Sequence, residues 1–157
     1  MFRQSLPLTL ALFASSATAQ DATGATLCPL TDDNSNCTRV LACIGDEGRW
    51  FHGRSFGRGA GWLSGVTDDG ATCTGTWVQQ NAFGLGQADV TCSDGMTVTV
   101  YYYYQDPYTG TTTGRGLSNG QQIVQSWSGT HVLDYFANGR PTAQARLRCG
   151  SHDIPLS

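Results

Sequence analysis

The chain has 157 residues, 39% hydrophobic and 13% charged, with nine basic side chains against twelve acidic ones and a formal net charge of −3. That length has room for one core, and the acidic surplus argues against a phosphate backbone as partner. All nine basic residues are arginine and lysine is absent, a bias that nothing about the fold requires.

In chain order, residues 1–19 read as a signal peptide. Arg3 supplies the positive start, Leu6 to Ala14 the apolar stretch, and Ala17-Thr18-Ala19 a small-residue cleavage site before Gln20. The apolar stretch falls short of the roughly 20 residues that a spanning helix needs, so no membrane span is expected. The remainder, 20–157, is expected to be a single disulfide-bonded β domain of net charge near minus four, soluble and monomeric, in the periplasm or secreted. Its six cysteines, Cys28, Cys37, Cys43, Cys73, Cys92 and Cys149, are an even set, as expected of disulfides formed in an oxidising compartment. There is no Cys-x-x-Cys pair, and His52, His131 and His152 stand far apart, so no metal and no cofactor is expected.

Short β-rich runs separated by turn residues cover Ala71 to Val78, Gln87 to Cys92, Met96 to Tyr104, Gln122 to Trp127, His131 to Phe136 and Ala143 to Cys149. They predict an all-β fold, an antiparallel meander of hairpins forming a twisted sheet or open barrel. Asp69-Gly70, Asp94-Gly95, Asn119-Gly120 and Asn138-Gly139 are dipeptides of tight hairpin turns, read here as type I′. Gly70, Gly95 and Gly120 stand at equal intervals, and each is followed seven positions later by an aromatic: Trp77, Tyr102 and Trp127.

That register carries a family resemblance. Gly59-Ala60-Gly61, Asp69-Gly70 and Gly75-Thr76-Trp77 together resemble the membrane occupation and recognition nexus (MORN) repeat. Gly84-Leu85-Gly86 with Asp94-Gly95 forms a second copy, and Asn119-Gly120 with Trp127 a partial third, so the resemblance spans about Gly59 to Gly129. It implies scaffolding or surface binding rather than catalysis.

Six cysteines allow fifteen pairings in principle. A hairpin centred near Ala82 and Phe83 sets Cys73 opposite Cys92, Gly75 opposite Val90 and Trp77 opposite Ala88, close enough for a Cys73–Cys92 bridge. Cys28–Cys37 then closes the polar loop between them. Cys43–Cys149 remains, and would tie the first strand to the last and help close the sheet.

Strand alternation places Trp77, Tyr102, Trp127 and Tyr104 in one core layer and leaves Tyr101 and Tyr103 as an outward stripe for stacking on a glycan or a protein partner. Arg49 to Arg58 is the only basic concentration, and Arg49, His52, Arg54 and Arg58 could grip an oxyanion. His131 and Asp134 could join Ser126 or Ser128 as a nucleophilic trio, but in a strand the two fall on opposite faces and no Gly-x-Ser-x-Gly elbow is present, so no catalytic residue is assigned. Glu47 is the one glutamate, which leaves no Glu pair for glycoside cleavage. The sequence reading is therefore an exported non-catalytic binding or envelope-associated domain with a glycan, peptide or protein ligand. The alternative is a small secreted hydrolase or inhibitor-like effector whose site lies near His52, Arg54 and Arg58.

Overall fold

A computed structural model describes residues 37–156. The signal-peptide reading of 1–19 and the Cys28 half of the Cys28–Cys37 pairing lie outside the described residues; Cys37 is itself disulfide-bonded. Eight antiparallel strands follow one another: β1 (Cys37–Ile44), β2 (Arg49–Arg58), β3 (Ala60–Thr67), β4 (Thr72–Val78), β5 (Gly86–Cys92), β6 (Thr97–Gln105), β7 (Thr112–Ser118) and β8 (Ile123–Gly129). Each pairs with the next and β8 pairs with β1, with Val40 opposite Ser128 and Ile44 opposite Val124, so the meander closes into a barrel. Closure leaves the barrel itself without an unpaired strand edge.

Beyond β8 lie a short helix α1 (Val132–Ala137), a 3-10 turn (Thr142–Gln144) and a two-stranded ribbon, β9 (Arg146–Cys149) with β10 (His152–Pro155). The run from His131 to Phe136, expected as a strand, is this helix. Its residues Val132, Leu133, Phe136 and Ala137 recur at helical spacing and pack into one cluster with Leu41 and Trp127. Asn138 adopts φ 50° and Gly139 φ 78°, and the Asn138 N–H bonds to the Asp134 carbonyl, so Asn138-Gly139 is a helix stop and not a hairpin turn.

The other three dipeptides do make hairpins, but three-residue ones. Thr67 and Ala71, Cys92 and Met96, and Ser118 and Gln122 bracket the loops by backbone hydrogen bonds. A single residue in each loop takes positive φ: Gly70, Gly95 and, in the third, Gln121 at 60°. The third loop is therefore shifted by one residue against its glycine. Counted from the left-handed residue, Trp77 and Tyr102 stand seven positions on and Trp127 only six, and a single-residue slip turns a side chain to the other face. Trp77 and Tyr102 point into the barrel; Trp127 points out, edge-to-face against Phe136 at 5.1 Å. Tyr104 leaves the expected core layer as well. A bulge between Tyr102 and Tyr104 shifts the pairing, and Tyr104 is 49% exposed.

Cys73 faces Cys92 in the β4–β5 register, with Gly75 opposite Val90 and Trp77 opposite Ala88, and the two cysteines are bonded. Cys43 and Cys149 are also bonded. Because Cys149 lies in β9, outside the barrel, that bridge does not close the sheet. It clamps the C-terminal ribbon onto the outer wall of β1, over Leu41 and Trp127.

So tight a barrel must bend its strands, and inward-facing glycines permit it. A Cβ added to Gly61 would stand 1.8 Å from the Phe56 carbonyl oxygen, and one on Gly114 would stand 2.8 Å from the Tyr101 oxygen and 2.9 Å from the Tyr102 ring. Aromatic side chains occupy the space the glycines leave. The Phe51 ring lies over Gly53 and Gly65. Trp77 on β4 reaches past Gly61 on β3 to donate its indole N–H to the Phe56 carbonyl on β2, at 2.9 Å. Tyr102 on β6 reaches past Gly114 on β7 to Ser126 on β8, at 2.9 Å. Gly61→Val should cost about 3 kcal/mol or more, as overpacking against backbone does, measured by urea unfolding. Gly59→Ala meets nothing within 4 Å and should cost only the left-handed penalty, about 1 kcal/mol.

Candidate functional site

The loops divide the barrel into two unlike ends. Gly45–Gly48 and the three tight hairpins cap one end, which we call closed. The turn at Gly59, the loops between β4 and β5 and between β6 and β7, and the end of β8 surround the other. In the closed half, Val40, Ala42, Ile44, Phe51, Cys73, Cys92, Met96, Val98, Val100 and Val124 fill the interior, leaving a void of only about 40 Å³. In the open half the interior is a cup of about 740 Å³.

Arg49 finishes the closed end. It stands opposite inward-facing Ile44, touches the Met96 sulfur, and holds Asp94 at 2.5 Å and Asp69 at 3.2 Å, the carboxylates of two neighbouring hairpin loops. Burial lowers the guanidinium's proton affinity, but the hydrogen bonds it donates to Asp94 and Asp69 outweigh this and hold its pKa above the usual value. Asp94 is held below the carboxylate range chiefly by Arg49, and Asp69 chiefly by the Thr67 hydroxyl and then by Arg49. This arginine is already gripping oxyanions, and they belong to the chain.

The cup is two-sided. On one wall four neighbouring strands each turn a hydroxyl inward: Thr112 from β7, Ser128 from β8, Thr38 from β1 and Ser55 from β2. Thr38 Oγ1 lies 2.7 Å from Ser55 Oγ and 3.2 Å from Ser128 Oγ, and Thr112 Oγ1 donates to the Ser128 carbonyl at 3.0 Å. The facing wall, from β3 to β6, carries Leu63, Trp77, Ala88 and Tyr102. Ser126 donates to the Leu41 carbonyl at 3.0 Å, so in the 2.9 Å Tyr102–Ser126 contact the phenol is the donor. Burial pushes the Tyr102 phenol's pKa up, against the smaller downward pull of the Ser126 bond. Gln79, Gln80, Gln87, Gln105, Arg58 and Tyr103 stand about the mouth.

The loops that frame the mouth are built on side-chain caps. Asn81 Oδ1 accepts from the Phe83 and Leu85 amides, and Asp106 accepts from the Tyr108 and Thr109 amides and the Thr109 hydroxyl. They leave Phe83 85% and Tyr108 94% exposed.

The six residues singled out from sequence are not brought together. Arg49 plugs the closed end and Arg58 stands at the mouth, at opposite ends of a ten-residue strand and so about 30 Å apart. His52 and Arg54 lie on the outer wall of β2, opposite Leu41 and Arg39. His52 stacks near Trp50 at 5.2 Å, and burial, then the Arg39 charge, lower its pKa. Tyr101 is on the outer wall of β6 between Gln87 and Arg115, whereas the bulge brings Tyr103 to the mouth, so the two form no stripe. His131 and Asp134, expected on opposite faces, meet at 3.3 Å because the segment is helical, but both are exposed, and Ser126 and Ser128 face the barrel interior instead. Among the described residues no group of three or more His, Cys, Asp or Glu could hold a metal ion. Thr38, Ser55 and Thr112 were missed, and Ser128 was considered only as a nucleophile, since their shared wall exists only once β8 has closed onto β1.

The class that fold and site define is an eight-stranded antiparallel barrel, stapled by disulfides and open at one end into a polar–aromatic cup. No family model matches the chain, and no curated protein matches it. Among solved structures it is similar to a redesigned β barrel, mFAP0, bound to DFHBI, at 12% identity and TM-score 0.46, covering 59% of this chain and 94% of the other. It is also similar to a second such barrel, mFAP1, bound to DFHBI, at 13% identity, TM-score 0.46 and 59% and 91% coverage. A third, a fluorescence-activating β barrel designed de novo, gives 13% identity, TM-score 0.46 and 59% and 89% coverage.

Asp69 and Asp94 bind protons more weakly folded than unfolded, so the unfolded chain takes up more protons as pH falls. Their stabilising effect should be complete above the ordinary carboxylate pKa of about 4 and disappear progressively below it. Urea midpoints measured against pH should show that acid loss, and Arg49→Met should reduce it, leaving the part that Thr67 and the Met96 amide supply.

Proposed function

We propose that this chain is an exported, non-catalytic binding barrel that holds a small ligand in its open-end cup, in the periplasm or outside the cell. The observation that carries this is the unequal filling of one barrel: a void of about 40 Å³ in the closed half against a cup of about 740 Å³ in the open half. Ligand sites are concave, largely preformed and about 300–1,000 Å³ in volume, with apolar walls and a few convergent polar groups. Trp77 and Tyr102 against Thr38, Ser55 and Ser128 match that description. The MORN-like hairpin register supports binding over catalysis, and the two disulfides Cys43–Cys149 and Cys73–Cys92 accord with an oxidising compartment. Among the described residues no helix is long and apolar enough to cross a membrane.

The cup can be tested with Nile red, a neutral dye of suitable size. The wild-type protein should bind one dye per chain, and Ser128→Phe, which fills the cup from its hydroxyl wall, should weaken binding about tenfold or more with the circular dichroism unchanged. Equal binding by the folded Ser128→Phe variant would place the dye elsewhere and end this reading.

A further inference from the structure

We infer that the cup selects an uncharged, flat ring compound that carries its hydrogen-bonding groups along one edge. The inference rests on the cup being a ligand site and adds the chemistry that the site accepts.

Charge comes first. Among the described residues lining the cup, Arg58 alone has a charged side chain; it sits at the mouth and already has a partner. Among the described residues no aspartate, glutamate, lysine or histidine lines the interior. An ion carried down to Tyr102 would lose its hydration and meet no counter-charge, a cost that a neutral molecule does not bear.

The donors and acceptors decide the shape. On the aromatic wall every polar hydrogen is already committed: the Trp77 N–H to the Phe56 carbonyl and the Tyr102 O–H to Ser126. Leu63 and Ala88 have none to give. That wall therefore offers carbon surface, and a polar group turned toward it would stay unsatisfied. The hydroxyl wall is the reverse. Thr38, Ser55 and Ser128 bring three hydroxyl protons and make two bonds among themselves, which leaves one O–H and several lone pairs for an incoming edge. Thr112 spends its proton on the Ser128 carbonyl and keeps its acceptor sites.

A hexose fits this arrangement poorly, because its hydroxyls surround the ring and half of them would face Trp77, Leu63 and Ala88. A plain hydrocarbon would leave the hydroxyl wall unpaired. A flat ring with a polar edge satisfies both walls at once.

The test is a calorimetric titration with one ring and different edges: 2-naphthol, naphthalene and 2-naphthoate, with methyl β-glucoside as the hexose. 2-Naphthol should bind at least about tenfold more tightly than each of the other three. The double variant Thr38→Val/Ser55→Ala, near-isosteric and stripped of the hydroxyl pair, should weaken 2-naphthol and leave naphthalene as tight or tighter, narrowing the gap between the two to less than about threefold. Thr112→Val serves as a second variant should the double one fold poorly, with a smaller loss confined to 2-naphthol. Tighter or equal binding of 2-naphthoate or of the glucoside overturns the inference, as does unchanged 2-naphthol binding by a folded variant. Retention of Nile red with no preference for 2-naphthol sinks the ligand class alone, whereas loss of every probe, Nile red included, sinks the cup as a binding site.

Discussion

Eight short strands can close on themselves only if their walls bend, and here the bending depends on inward glycines bridged by aromatic side chains. The indole of Trp77 and the phenol of Tyr102 each pass a glycine on the adjacent strand and hydrogen-bond to the strand beyond it. Each thereby ties three strands together from the inside. Glycine in a strand ordinarily weakens it, since it costs backbone entropy and packs nothing. A ring laid over the glycine recovers the lost packing, and its hydrogen bond fastens it to the strand beyond.

The same arrangement makes the two ends different. Toward the closed end, Phe51 over Gly53 and Gly65, the Cys73–Cys92 bridge and a layer of aliphatic side chains use up the interior, and Arg49 seals it with two loop carboxylates. Trp77 and Tyr102 are held by hydrogen bonds to Phe56 and Ser126, and they line the cup that hollows the open half. The β1, β2, β7 and β8 strands then contribute hydroxyls at one level. The second core, outside β1 and β8, is separate from this: Leu41, Trp127 and Leu147 pack beneath the ribbon that Cys43–Cys149 holds in place, and the cup has no part in it.

Much of the architecture could be read from the chain because it is local. The β4–β5 register followed from where Cys73, Gly75 and Trp77 stand relative to Cys92, Val90 and Ala88, and the pairing is as that spacing requires. Failures came where a single residue changes the parity. Positive φ at Gln121 and not Gly120 sent Trp127 outward, and the bulge beside Tyr103 sent Tyr104 outward. Neither leaves a mark in composition, because both depend on how the flanking strands pair. The segment after His131 has strand-forming residues, yet packing against Trp127 and the Asn138-Gly139 stop made it a helix. The cup was least legible of all: Thr38 and Ser128 are 90 positions apart and meet only through closure.

Amide and indole NMR shifts recorded while 2-naphthol is added would test the central claim most directly, because they report which surface of the barrel wall the ring occupies. Saturable shifts are expected at Thr38, Ser55, Trp77, Tyr102 and Ser128, with His52, Arg54 and Tyr101 on the outer wall unmoved. Shifts gathered on those outer residues, with the inward set silent, would contradict a ligand-holding cup.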